Sequence, residues 1–377
     1  MPGASCAYVK ADKVLFAGTF FAFLFFHLYL PLVSGGSVSG RYLDIALAAL
    51  LLAVSVLLAL SMKTAEIALS KGEAVLFSGI SLYLLYGGFI SFSGLNLASS
   101  ARTIIELITY CTFLVIVFLA SRIIIALDLK FTMVKVLCLA LGISLMTAYI
   151  MHFDNFAFLG SIANLFRAAG RYRFAFGFPH VNSAGKFALY FLAYSFMYRA
   201  LAEERNTPGT WFSRIFLVPV SAVAVIILLS TGSRASITSL ILFILAYLSL
   251  TCYSKLGVIP RIITVITAIA LAVFIAGLID WQYIFVESNR ESNYVALFVV
   301  DAKNAWLTGL SFSNSTDLSS IGNIIWLDSF YLYIFLQSGL IGFVIFFSAI
   351  FRFAAAYFRK SAQMTKFQRL TGALLAV

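Results

Sequence analysis

Residues 214–252, RIFLVPVSAVAVIILLSTGSRASITSLILFILAYLSLTC, form two apolar runs separated by a short polar segment. The runs, 214–230 and 235–252, have about the 17–25 residues that an α-helix needs to cross the hydrocarbon core of a membrane. The segment between them holds Arg234, and a cation within a span is costly unless it lies near a helix end, where its side chain can reach the interface. The stretch therefore predicts two membrane-spanning helices joined by a positively charged turn.

The rest of the chain repeats this pattern. Of its 377 residues, 62% are hydrophobic and 11% are charged, and the mean hydropathy is +1.01. Soluble domains are about 45–50% apolar and 25% charged, so the composition excludes an ordinary soluble protein. We expect one all-α, polytopic membrane domain over 1–377 with about 11 transmembrane helices. They are placed near 13–33, 42–60, 74–92, 102–121, 131–151, 182–201, 214–230, 235–252, 260–279, 329–350 and from 366 onward.

The N-terminal segment leads into the first apolar run without a small-residue cleavage site, which favours a first span over a removed signal peptide. With the N-terminus in the cytoplasm, most of the 26 Lys and Arg residues fall in short cytoplasmic loops, as the positive-inside rule requires. Topology therefore accounts for most of the net charge of +11, and no nucleic-acid partner is predicted.

Two long outer loops, 152–181 and 280–328, are predicted to carry short helices and to cover the outer face. Loops of this length are uncommon in compact proteins and are usually functional. Five of the nine outer cations gather in or beside the first loop and at the start of the 235–252 span, where topology does not require positive charge. They are Arg167, Arg171, Arg173, Lys186 and Arg234.

These cations favour an anion site. Arg234 follows Ser233 at a predicted helix N-terminus, where free N–H groups and the helix dipole attract negative charge. Arg171 and Arg173 lie in a loop that begins at a glycine, and an arginine fork suits a phosphate group. Several cations above one helix fit a diphosphate better than a single carboxylate. The alternative is that the cations only anchor the chain at the membrane surface.

Polar residues at the head of the next span complete this predicted site. Asn182 or Ser183 is expected to cap the helix, and Asn182 and Lys186 share one helix face. His180 is a further candidate for ligand binding. The sequence has no Cys/His cluster with metal-ligand spacing and no nucleotide-binding glycine motif, so no metal or other cofactor is predicted.

Four segments, in this order, resemble the superfamily of Wzy polymerases and O-antigen ligases, which are bacterial membrane glycosyltransferases. The segments are RYRFAFGFPHVNSAG (171–185), LLSTGSRAS (228–236), the loop from Arg290 through DAKNAWLTGLSFSN (301–314), and LDSFYLYIFLQSGLIG (327–342). The resemblance covers roughly 165–345. The first five spans resemble those of the family only in their general apolar character. It implies a GT-C-like enzyme in the bacterial plasma membrane with an outward-facing active site.

The resemblance also implies a mechanism. The donor is an oligosaccharide on undecaprenyl diphosphate, and an acceptor hydroxyl displaces the diphosphate with inversion and without a metal. Arg171 or Arg173, together with Arg234, would hold the diphosphate, with Arg290 as a third candidate. Substrate-binding residues would be His180, Asn182, Lys186, Ser233 and Tyr294. The implied partners are the lipid-linked donor and acceptor, membrane lipids, a chain-length regulator and a flippase.

One departure from the family pattern separates its two activities. The ligases carry a histidine just before the late span, whereas this chain has Asp328 there, which favours a polymerase over a ligase. Asp328, Asp301 and Glu287 are candidates for the general base, and Asp328 could instead simply cap its helix. A ligase that transfers a finished glycan stays an alternative, and a transporter of lipids or anions is a second alternative.

Overall fold

The computed structural model describes residues 12–26, 38–61, 69–93, 97–152, 174–178, 181–207, 211–253, 306–309, 330–358 and 364–375. All regular secondary structure in these ranges is helical. The helices are α1 at 12–26, α2 (Val38–Ser61), α3 (Lys71–Ser93), α4 (Leu97–Ala126), α5 (Lys130–Met151), α6 (Val181–Glu204), α7 (Val218–Ser230), α8 (Arg234–Tyr253), α9 (Phe330–Phe358) and α10 (Lys366–Leu375). A π-helical turn, Phe212–Leu217, leads directly into α7.

The chain is a helical membrane protein. Within the described ranges, five segments are long and apolar enough to cross a membrane, namely Lys71–Ser91, Leu107–Ala126, Lys130–Met151, Phe212–Ser230 and Ile334–Tyr357. Ala46–Leu60 and Ser236–Thr251 are shorter apolar helices. Each of these coincides with a predicted span. The predicted span at 260–279 lies outside the described residues, and the total of about 11 spans stays a prediction.

The chain divides into two compact units, which we describe separately. Unit 1 consists of 1–67, 118–271 and 360–377, and unit 2 consists of 68–117 and 272–359. The expectation of one membrane domain over the whole chain is not tested by this division and stays a prediction.

Helix α6 is the central element of unit 1, where it packs against α5, α7, α8 and α10. Its buried face carries small residues, Ala184, Ala188 and Ala193, beside the fully buried ring of Phe191. Small side chains let helix backbones approach closely, which is how membrane helices gain packing energy without a hydrophobic driving force. The relatively polar helix α6 is thereby placed in the interior of its unit.

Helix α10 begins at Lys366, where the sequence predicts that the eleventh membrane span begins. Its ten described residues are fewer than a membrane span requires. The helix packs on α8 and α6, and Lys366 Nζ lies 2.6 Å from a Glu203 carboxylate oxygen. Arg205 forms a similar ion pair with Asp128 at 2.9 Å. These solvent-exposed pairs fix the relative positions of helix ends and contribute little stability.

In unit 2, α3 packs along α9. A Cβ atom at Gly79 would overlap Ala349 Cβ, so the two helices touch where both residues are small. Tyr83 and Leu84 of α3 and Ile334 of α9 form a buried apolar cluster beside this contact. The pairing therefore depends on the same close approach between small residues that operates in unit 1.

Helix α9 is broken at Gly339, whose φ of 62° and ψ of −167° are non-helical. The turn at 306–309 fills the break: Leu340 N–H donates to the Trp306 carbonyl at 2.9 Å, and Ile341 N–H donates to the Leu307 carbonyl at 3.2 Å. These bonds satisfy amide groups that a helix start leaves unpaired, which is required of a backbone shielded from water. The sequence predicts a span here but does not predict its interruption.

Candidate functional site

The segment that follows the predicted arginine loop is anchored by a buried aromatic turn. Phe174, Phe176 and Phe178 are all buried, and the Phe174 and Phe176 rings meet edge to face at 4.6 Å between centroids. The backbone reverses at Phe176 and Gly177, which have φ values of 49° and 75°. Phe178 N–H closes the turn by donating to the Ala175 carbonyl at 2.9 Å. The alternating phenylalanines of FAFGF thus hold this segment against the helices of unit 1.

A backbone hydrogen bond joins this turn to the end of α7. Phe174 N–H donates to the Ser230 carbonyl at 3.2 Å. Ser230 precedes the Thr231–Ser233 link to α8, so the chain just after Arg173 lies beside the chain just before Arg234. The helices α6 and α7 separate these two segments in the sequence, and the tertiary fold brings the segments together.

The link between α7 and α8 is made of buried polar residues. Thr231, Ser233 and Ser236 are each at most 1% exposed. Ser233 precedes the first residue of α8, and its hydroxyl accepts a hydrogen bond from Ser236 N–H at 3.3 Å, which is an N-cap interaction. The Ser233 and Ser236 hydroxyl oxygens are 2.9 Å apart. Ser233, predicted to bind substrate, therefore lies at the expected helix end, where its hydroxyl bonds within the first turn.

Gly185 brings the start of α6 against the start of α8. A Cβ atom at this position would lie 2.6 Å from Ser236 Oγ and 3.0 Å from Ser233 Cβ, closer than packed atoms allow. The N-terminal ends of α6 and α8 therefore meet at one end of unit 1. Because each helix N-terminus carries a partial positive charge, the pair favours a negatively charged group nearby.

The predicted cationic and polar residues of the two helix starts are placed as follows. Arg234 is the first residue of α8, as the sequence predicts. Lys186 is exposed and follows Gly185 directly in α6. Asn182 and Lys186 lie four residues apart within α6, so they share a helix face as predicted. The predicted N-cap is wrong, because α6 begins at Val181 and this places Asn182 and Ser183 inside its first turn.

His152 belongs to this region although the sequence alone assigns it no role. Its ring lies 5.9 Å from that of Phe174 in an edge-to-face arrangement. A Cβ atom at Gly177 would come within 2.6 Å of His152 Nε2, so only glycine lets the turn approach the imidazole this closely. A histidine just after a span, together with a glycine inside a downstream aromatic segment, is the only signal the sequence offers for this contact.

The remaining predicted site residues lie outside the described part of the chain. They are Arg171, Arg173, His180, Glu287, Arg290, Tyr294, Asp301 and Asp328. The roles assigned to them stay predictions. Within the described ranges, no three His, Cys, Asp or Glu side chains gather closely enough to hold a metal ion.

Comparisons of the chain with protein-family models, curated proteins and solved structures returned no match. The functional interpretation therefore depends on the geometry at the starts of α6 and α8 and on the sequence motifs that meet there.

Proposed function

We propose that the chain is a Wzy-type polysaccharide polymerase of the bacterial plasma membrane. It would transfer a growing glycan from undecaprenyl diphosphate to the next lipid-linked repeat unit, with inversion and without a metal. The N-terminus would be cytoplasmic and the site would face outward. The observation that carries the proposal is the Phe174 N–H to Ser230 carbonyl bond, which holds the residue that follows Arg173 in the sequence against the end of the helix that precedes Arg234.

A diphosphate site is supported by the charges that these segments contribute. Arg173 directly precedes Phe174, Arg234 opens α8, and Lys186 follows the glycine that contacts α8. In the proposed reaction the acceptor hydroxyl oxygen bonds to the anomeric carbon as the bond from that carbon to the diphosphate oxygen breaks. Cations fixed in advance near the leaving oxygen would stabilise the negative charge that develops there. Adjacent helix N-termini would add to that stabilisation.

The attacking hydroxyl must also lose its proton. Asp328, Asp301 and Glu287 are the proposed bases from the sequence, and His152 joins them because it lies against the Phe174–Phe178 turn. A carboxylate or a neutral imidazole can accept such a proton.

The proposal is tested with purified protein in proteoliposomes that contain lipid-linked repeat units and a metal chelator. We expect a ladder of chain lengths for the unchanged protein and none for Arg173→Ala or Arg234→Ala. Arg234→Lys should also be strongly impaired, because a lysine keeps the charge but loses the two-pronged donor geometry. Arg199→Ala, at an exposed position in the last turns of α6 and far in sequence from the proposed site, is the control and should keep full activity.

Three outcomes would contradict the proposal. Full activity in both alanine variants would exclude the proposed diphosphate site. Absolute dependence on a divalent metal would exclude the metal-free mechanism. A single transfer of a finished glycan, in place of a ladder, would identify the ligase alternative.

A transporter is a second candidate, and the break in α9 is the observation that favours it. Transporters bind substrates at interrupted helices, where free N–H groups of a half-helix point at the ligand. In α9, however, the amides of Leu340 and Ile341 are already bonded to carbonyls of the 306–309 turn. Uptake of labelled lipid or anion by proteoliposomes, unaffected by Arg234→Ala, would favour the transporter over the polymerase.

A further inference from the structure

Unit 2 contains an apolar cavity of about 360 Å³ between α3, α4 and α9. Its walls include Leu76, Ile80 and Tyr83 of α3, Leu114 of α4, and Gln337 and Phe346 of α9. This volume lies within the range of about 300–1,000 Å³ that is typical of small-molecule sites. The mostly apolar walls favour an apolar ligand.

One polar side chain at this cavity has an unused donor. Gln337 is 2% exposed, and its Oε1 accepts a hydrogen bond from the Tyr83 hydroxyl at 3.3 Å. Its Nε2 has no hydrogen-bond partner among the described residues. The break at Gly339, two residues further along α9, fixes the backbone that carries this amide. A buried donor without an acceptor is unfavourable, so a ligand that supplies an oxygen atom there would be held by it.

The lining also restricts the charge of the ligand. It is made of aliphatic and aromatic side chains with Gln337, and it contains no Lys, Arg, Asp or Glu. A phosphate in such surroundings would be desolvated without compensation, so the matching ligand group is a neutral acceptor oxygen. On the α4 side the cavity is lined by Tyr110 and Phe113, which are 38% and 41% exposed. The cavity is therefore open to the protein surface on this side.

We propose that this cavity is a binding site for an ester-linked membrane lipid. One acyl chain occupies the apolar space, and an ester carbonyl oxygen accepts the hydrogen bond from Gln337 Nε2. A polyprenyl chain has no oxygen except at its phosphate, so it cannot supply a neutral acceptor to this amide. The lining residues all belong to unit 2 and none of them is among the residues proposed to hold the diphosphate, so either proposal can fail without the other.

The first test uses the unchanged full-length protein in phospholipid nanodiscs. These carry a trace of a diacyl phospholipid with a photoreactive diazirine near the carbonyl end of one chain. After illumination, we expect label on peptides of α3, α4 and α9 around the cavity. A diether analogue, which lacks the carbonyl, should label them about five-fold less, as expected for the loss of one hydrogen bond. Equal labelling by both lipids would overturn the proposal, and so would loss of label on adding undecaprenyl phosphate.

Three variants then distinguish the effect of the cavity volume from the effect of the Gln337 amide. Leu76→Trp fills the cavity and should abolish the labelling, whereas Leu82→Trp, at a 53% exposed position of the same helix outside the lining, should leave it unchanged. Gln337→Leu keeps the apolar walls but removes the donor, so ester and ether lipids should label it equally. A preference for the ester that survives in Gln337→Leu would assign it to another group and overturn the proposal.

Discussion

Both units depend on glycines for close approach, but they use the approach differently. In unit 1, Gly185 lets α6 meet serine side chains at the start of α8, so the polar groups there belong to side chains. In unit 2, Gly309 and Gly339 let two backbones meet, and the polar contacts are peptide groups. Side-chain contacts adjust to small changes more easily than a backbone with positive φ. Gly309 and Gly339 should therefore tolerate substitution less well than Gly185.

The largest effect is expected at the break of α9. In Gly339→Ala, the new Cβ would overlap the Leu307 backbone, at φ and ψ values that residues other than glycine essentially never adopt. We expect the free energy of unfolding to fall by about 4 kcal/mol, measured by denaturant titration in detergent micelles. Gly72→Ala in α3, where the nearest atoms are 3.7 Å away, is the control and should change little. Equal stability of the two variants would mean that the backbone contact is not a constraint.

A smaller effect is expected where α6 meets α8. Gly185→Ala introduces a methyl group 2.6 Å from Ser236 Oγ, which is already bonded to the Ser233 hydroxyl. The crowding should outweigh the helix preference of alanine, with a net loss of about 1–2 kcal/mol in unfolding free energy. Chain growth should fall as well if the proposed diphosphate site lies there. Gly18→Ala in α1, where a Cβ atom would have no neighbour within 4 Å, is the control. If Gly185→Ala lowers the unfolding free energy no more than Gly18→Ala does, α6 and α8 do not approach closely at Gly185.

The smallest effect is expected at the cap of α8. Ser233→Ala removes the hydroxyl that accepts from Ser236 N–H and should cost about 1 kcal/mol, seen as a lower thermal midpoint. Ser221→Ala is the matched control, because that hydroxyl only bonds the Leu217 carbonyl within its own helix. If Ser233→Ala loses chain growth but keeps the thermal midpoint, the hydroxyl acts on the substrate rather than as a cap.

Long apolar runs made the membrane helices predictable, since the hydrocarbon core sets their length and composition. The start of α8 at Arg234 is also predictable from the sequence, because serine and glycine end one apolar run just before the next begins. The predicted N-cap of α6 is wrong because Asn182 and Ser183 are both good capping residues, and the sequence does not show that the helix begins at Val181. The sequence does not predict the interruption of α9 at Gly339, because a glycine within an apolar run is compatible with an unbroken helix.

The sequence by itself determined the helical membrane architecture and the residue types available for an anion site, because these depend on composition and local order. Only the tertiary structure decided that Phe174 bonds to Ser230, that His152 lies against Gly177, and that Gln337 faces a cavity. Each of these contacts joins residues distant in the chain. They follow from how helices pack through small residues, and membrane packing of this kind leaves little periodic signal in the sequence.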